Sequence, residues 1–305
     1  MQKKRETLVA IGLFILVLLG NAIIFSIVPY ISIPSYGFGY HGFQILMCYS
    51  IIALLCMTPW AIRQGRTGLA TTRLKTHGLR AVLEYGAYAL TLISLSYLGD
   101  VFTLPMHTAL NFITPLLATV VAILVLKEKS YAHTWVALLV GIIGVLVITR
   151  PGFIPANPGV FYVLGAALGF SFCGVVIKLL SSTESPKHIA FYMLLLTSIF
   201  SLPMGIWHWQ TPSVEGWAWL ILIGVLSYAV QILVGMAIAK VPLLVLIPLN
   251  FVMLLFTTIL SYFVFDKLID SWTLVGALII LAGTIYNARR NHLQAGREAI
   301  QASAM

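Results

Sequence analysis

Residues Val101–Leu126 read VFTLPMHTALNFITPLLATVVAILVL, 26 residues without one charged side chain. At 1.5 Å per residue an α-helix of that length reaches about 39 Å, enough to cross a hydrocarbon core of roughly 30 Å. The stretch also carries His107, Asn111 and two prolines, Pro105 and Pro115. It is therefore a membrane span with polar groups and a helix breaker inside it, and the rest of the chain repeats its pattern.

Outward from this stretch, apolar runs at 7–28, 41–62, 79–98, 133–149, 158–181, 188–207, 215–237, 242–265 and 271–288 predict nine further spans. The expected fold is an all-α polytopic membrane protein of ten transmembrane helices. Hydrophobic residues make up 60% of the 305, charged residues 9%, and the mean hydropathy is +0.99, so lipid rather than water must be the solvent of its surface. The run after Lys3, Lys4 and Arg5 is about 22 residues, too long for the apolar part of a signal peptide, and is expected to remain as the first helix.

A net charge of +9 suggests nucleic acid only when the charges share one face. Here they sit in the connections, so no nucleic-acid partner is expected. Cys48, Cys56 and Cys173 lie inside apolar runs without C-x-x-C spacing, and no histidine stands at i+4 to His107, so no metal or other cofactor is expected. The chain has no G-x-x-x-x-G-K-[ST], H-E-x-x-H or G-x-S-x-G pattern, which argues against an ATP-driven pump and a hydrolase; no enzyme is expected.

With the N-terminus in the cytoplasm, 16 of the 18 Lys and Arg residues fall on the inner side, leaving Arg150 and Lys267 outside. The expected location is an inner or plasma membrane with both termini cytoplasmic. Leu110-Asn111-Phe112 recurs as Leu249-Asn250-Phe251, 139 positions later, and Gly144 recurs as Gly283 at the same distance. Five spans separate the copies, and an odd number of crossings turns the second copy over. The resulting organisation is a first five-helix repeat over 1–150, an inverted second over 151–291 and a cytoplasmic tail over 292–305. Inverted repeats of this kind place a solute site near the midplane between halves.

The two copies close with similar motifs. Asn111-Phe112-Ile113-Thr114-Pro115 runs through Glu128 to Gly144, and Pro248-Leu249-Asn250 runs through Asp266 to Gly276-Ala277-Leu278-Ile279-Ile280-Leu281-Ala282-Gly283. On these motifs the chain resembles the EamA-like branch of the drug/metabolite transporter superfamily over nearly its whole length. The resemblance implies ten helices and the export or import of a metabolite, without a shared substrate motif. Gln44 departs from it, standing where many members carry a basic residue.

The candidate solute-binding residues are Asn111, Asn250, His107, Tyr88, Gln231 and Gln44. Asn111 and Asn250 approach mid-depth from opposite ends of their spans, and Pro115 leaves the carbonyl of Asn111 without its helical donor. The interrupting Pro105, Pro242 and Pro248 mark the same two spans. His107 lies one turn from Asn111, while Tyr88 offers a ring face and a hydroxyl near the middle of its helix. Glu84 is the only carboxylate well inside a span and needs a partner, a proton or water. Two roles stand for it, an ion pair with Lys178 or carriage of a coupling proton; simple contact with the interface is the third reading of both residues.

The function expected is secondary transport of an amino acid or a related zwitterionic or aromatic solute, by a monomer or homodimer, with protons as a possible driving ion. Exchange of S-adenosylmethionine or a nucleoside-like metabolite is the alternative within the superfamily. A non-transporting scaffold with a packed interior is the alternative outside it.

Overall fold

The computed structural model describes residues 2–34, 37–98, 102–127, 131–153, 156–181, 183–238 and 249–303. Glu128, Pro242 and Pro248 lie outside these, as do the side chains of Lys178 and Asn250. The described residues form helices α1 (Gln2–Ser32), α2 (Gly42–Leu69), α3 (Leu74–Leu95), α4 (Leu104–Asn111), α5 (Thr114–Leu126), α6 (Ala132–Thr149), α7 (Pro158–Ser181), α8 (Pro186–Trp207), α9 (Val214–Ile238), α10 (Asn250–Phe265) and α11 (Ser271–Ser303). An all-helical chain is what lipid demands, since a helix satisfies its own backbone hydrogen bonds.

Among the described residues, eight helices are long and apolar enough to cross a membrane, with α4 and α5 counted together over Leu104–Val125. Two helices fall outside that set: α3 carries Arg80 and Glu84, and α10 is 16 residues long. Large apolar side chains point outward, as with Leu139, Phe161 and Phe263, each more than 60% exposed. That surface suits acyl chains and would not suit water.

Four helix pairs make the broadest contacts: α6 with α11, α3 with α7, α2 with α8, and α1 with α9. Further packing joins α5 to α7, α1 to α10, α2 to α9 and α3 to α8. One apolar core gathers Phe102, Leu110, Leu116, Ile148 and Ile280, and another gathers Ile27, Ile31, Ile45, Leu95 and Leu220.

Membrane helices pack closely where side chains are small. In the α6–α11 seam a Cβ on Gly144 would lie 2.8 Å from the carbonyl oxygen of Gly276, and one on Gly276 would lie 2.6 Å from that of Gly144. The backbones therefore touch. At another level of the same seam a Cβ on Gly283 would meet the Ala137 carbonyl at 3.1 Å. The seam is also tied by Arg150, 3.0 Å from the Asp270 carboxylate.

Replacing Gly144 with leucine should force the two helices apart and cost about 1–3 kcal/mol or more, because the obstacle is backbone. Gly12→Ala, inside α1 where nothing stands within 4 Å, should not lower stability. Thermal unfolding of detergent-purified variants followed by size exclusion measures both, and equal midpoints would contradict the seam's importance.

Candidate functional site

The interruption expected at Pro115 is present. Helix α4 stops at Asn111 and α5 starts at Thr114. Between them Phe112 and Ile113 donate to the carbonyls of Ala109 and Leu110 at 3.1 and 3.2 Å, a tighter i to i−3 pattern, and proline has no N–H to offer Asn111. Beside the break the Ser171 hydroxyl of α7 lies within hydrogen-bond reach of two carbonyls, Thr114 at 3.0 Å and Ala167 of its own helix at 2.7 Å, and its one proton serves one of them at a time. Asn111 turns its own amide back, Nδ2 donating to the His107 carbonyl at 3.0 Å.

Beside this break lies a cavity of about 400 Å³. Its walls come from nearly every helix of the bundle, including Asn21 and Phe25 of α1, Tyr49 of α2, Tyr88 and Thr91 of α3, Asn111, Thr114 and Pro115 at the break, Phe170 of α7, Gln231 of α9 and Thr284 of α11. No carboxylate and no basic side chain is among the lining residues described. One wall is aromatic. Tyr88 stands edge-to-face between Tyr49 and Phe170, with ring centroids 6.4 and 5.3 Å away. Polar groups sit around the rest: the amides of Asn21, Asn111 and Gln231, and hydroxyls of Thr91, Thr108 and Thr284. Each of these three hydroxyls donates to a carbonyl one turn back, so acceptor lone pairs are left for a guest.

Of the residues singled out by sequence, Asn111, Tyr88 and Gln231 fall in the lining. His107 does not. Its ring is fully buried against Phe25 and Phe102, at centroid distances of 5.9 and 6.2 Å, and it serves as the anchor of Asn111. Gln44 is likewise elsewhere: its Nε2 donates to the Gln210 carbonyl at 2.6 Å and its Oε1 accepts from the Gln210 amide at 3.0 Å. That pairing ties the start of α2 to the connection after α8. Beside it Tyr40 Oη accepts from the Ser213 amide at 3.0 Å, and the rings of His41 and His208 stack at 3.7 Å. Burial and the neighbouring His208 imidazole hold the His41 pKa below the usual histidine range.

Ties of the same sort join the other ends of α2 and α8. Tyr192 Oη donates to the Leu69 carbonyl at 2.6 Å, His188 contacts the Gly68 carbonyl, and Thr71 donates to Glu184 at 2.5 Å. Glu84 is buried midway along α3, 3.1 Å from Arg80 one turn back on the same helix. Counting charges by side of the membrane made Arg80 a topology residue, although its i, i+4 spacing to Glu84 was a readable signal of pairing. Asn21, Tyr49 and Phe170 gave no such signal, because an isolated polar or aromatic residue does not reveal which way its helix is turned.

The EamA-like transporter family matches residues 157–289. A riboflavin transporter of Vibrio cholerae serotype O1 is 32% identical over 207 residues, covering 68% of this chain and 67% of that protein. The chain belongs to the EamA-like transporter family. An S-adenosylmethionine uptake transporter of Rickettsia conorii is 28% identical over 279 residues, 92% of both chains, and one of Rickettsia prowazekii is 27% identical over 246 residues, 81% of this chain and 82% of its own. A solved crystal structure superposes with a TM-score of 0.62 over 94% of this chain and 98% of its own; at 15% identity the likeness is one of fold. As an EamA-like protein the chain is a multi-pass membrane transporter of a small metabolite.

For an EamA-like transporter the cavity must admit water and solute. In a background with Cys48, Cys56 and Cys173 replaced by alanine, cysteines at Asn111 and Gln231 should react with a small hydrophilic thiol reagent, whereas one at buried Thr197, outside the lining, should not. Labelling in native vesicles reads this directly, and equal inertness at all three positions would mean a packed interior.

Proposed function

We propose that the chain is a secondary transporter carrying a neutral or zwitterionic metabolite with a flat heteroaromatic ring, exposed alternately on the two sides of the membrane. The observation that carries this is the aromatic wall of Tyr49, Tyr88 and Phe170 facing amides and hydroxyls in a cavity of about 400 Å³. That volume is in the range of small-molecule sites, and such walls grip a ring by its faces and edges while amides read its polar rim. The names of the relatives agree in kind, since S-adenosylmethionine and riboflavin both contain fused heteroaromatic rings. An amino acid without a ring, part of the first expectation from sequence, fits less well, because it leaves the wall of Tyr49, Tyr88 and Phe170 unused.

The mechanism rests on ten crossings and an inverted repeat, and several observations support them. Adding α3, whose 22 residues reach about 33 Å, and α10 to the eight clear spans makes ten. A shift of five spans exchanges α1 with α7, α2 with α8, α3 with α9, α4–α5 with α10 and α6 with α11. Under it the α3–α7 contact becomes α9–α1, α5–α7 becomes α10–α1, and α2–α9 becomes α8–α3, while α2–α8 and α6–α11 return to themselves. Lys127 and Asp266, 139 apart, both end their helices in the left-handed conformation, with φ of 52° and 54°. Such pairing supports halves that rock about a central solute. The basic-residue count supports cytoplasmic termini.

Counterflow in proteoliposomes tests the reading. Vesicles loaded with S-adenosylmethionine, riboflavin, adenosine or phenylalanine are challenged with the labelled compound, with and without a pH gradient. At least one ring-bearing metabolite should accumulate. Tyr88→Ala should lower its exchange about tenfold, given stacking contributions of roughly 1–3 kcal/mol per ring, and Tyr88→Phe should keep most of it. Accumulation of phenylalanine alone would restore the amino-acid reading, and silence for every compound would remove the transport reading.

A further inference from the structure

Helix α3 carries a single polar stripe, His77, Arg80, Glu84, Tyr88 and Thr91, spaced three or four residues apart and hence on one face. Tyr88 and Thr91 line the cavity; Glu84 and Arg80, one and two turns below Tyr88, are sealed from it at 6% and 5% exposure. Arg80 Nη2 and Glu84 Oε2 are 3.1 Å apart. Arg80 Nη1 also donates to the Ile189 carbonyl of α8 at 2.8 Å. Yet the pair is under-used: Arg80 Nε is buried without a hydrogen-bond partner among the described residues, and Glu84 Oε2 has the Arg80 Nη2 contact alone among them.

Burying an ion pair in a membrane is costly, and a pair with unmet polar atoms is costlier than one fully bonded. Apolar residues of the same volume would pack α3 against α7 and α8 at no such cost, so stability does not account for the pair. A guest does. A guanidinium beside a carboxylate is the mirror image of an α-amino acid end, whose carboxylate suits Arg80 as a planar fork and whose ammonium suits Glu84. From Tyr88 to Glu84 the rise is about 6 Å, the reach of a side arm of several bonds from a ring held against the aromatic wall.

We propose that Arg80 and Glu84 form the second station of the solute path, where they exchange their mutual contact for the carboxylate and ammonium of a zwitterionic amino-acid end attached to the ring. In the closed arrangement they neutralise each other, and the solute's own opposite charges take their places as it passes. This inference rests on the transport function proposed above and narrows its substrate to ring compounds bearing an amino-acid arm.

Single replacements would strand a buried charge, so the test combines solute analogues on the unaltered protein with the double variant R80Q/E84Q, which stays neutral and keeps both side chains polar. Proteoliposomes loaded with S-adenosylmethionine exchange against labelled S-adenosylmethionine, its decarboxylated analogue, 5′-methylthioadenosine, which lacks the amino-acid arm, or riboflavin. The unaltered protein should favour the compound with the intact amino-acid arm over both truncated adenosyl compounds by roughly tenfold or more, as sites built around a polar group do. In R80Q/E84Q that preference should vanish while exchange of 5′-methylthioadenosine persists. Three outcomes overturn the assignment while leaving transport intact: equal exchange of all three adenosyl compounds by the unaltered protein, retention of the preference in the double variant, or exchange of riboflavin alone. A uniform loss of all solutes in a well-folded double variant also overturns it, making the pair a closure of the path or a proton carrier. Silence of every compound in the unaltered protein instead removes the transport reading on which the inference rests.

Discussion

Every backbone amide and carbonyl inside a bilayer must find a partner, and the site of this chain is built around a place where a helix among the described residues fails to provide it. At Asn111–Thr114 the ladder is cut, because Pro115 has no donor. A cut facing lipid would leave polar groups in hydrocarbon at several kcal/mol apiece. Here it faces a cavity, lies beside the Ser171 hydroxyl of α7, and is bounded by an asparagine whose amide returns to the preceding turn. The break and the cavity thus require each other: the break supplies polar backbone that only an aqueous or liganded space tolerates, and the cavity needs polar groups that an unbroken apolar helix lacks.

Much of the architecture is legible from the chain because lipid imposes so narrow a choice. Apolar runs of about 20 residues have to be helices, and Pro115 with Asn111 beside it marks where one of them is interrupted. Rotation about a helix axis is harder to read. Gln44 and His107 are polar residues inside spans, as Asn111 and Gln231 are, yet Gln44 faces Gln210 and His107 faces two phenylalanines. Depth can be counted from sequence at 1.5 Å per residue; the direction of a side chain depends on which neighbour packs there. For the same reason Tyr49 and Phe170 are indistinguishable from lipid-anchoring or core aromatics until α2, α3 and α7 are brought together around Tyr88.

The contacts within the bundle differ in kind. Along α6 and α11 the backbones are in contact through Gly144 and Gly276, so neither helix can slide without a clash. Between α2 and α8 the two ends are held by a few polar ties, mostly from side chains to backbone: Gln44 to Gln210 at one end, Tyr192 to Leu69 at the other. Hydrogen bonds of this sort contribute about 0.5–1.5 kcal/mol each and can be remade with water. Under the alternating exposure proposed above, this division has a direct mechanical meaning. The tightly packed seam resists deformation, and the polar ties at either end of α2–α8 can break and form at comparable cost. Neither state is then so stable that the cycle stalls, and the binding of a solute, worth a few kcal/mol, is enough to decide which end lets go.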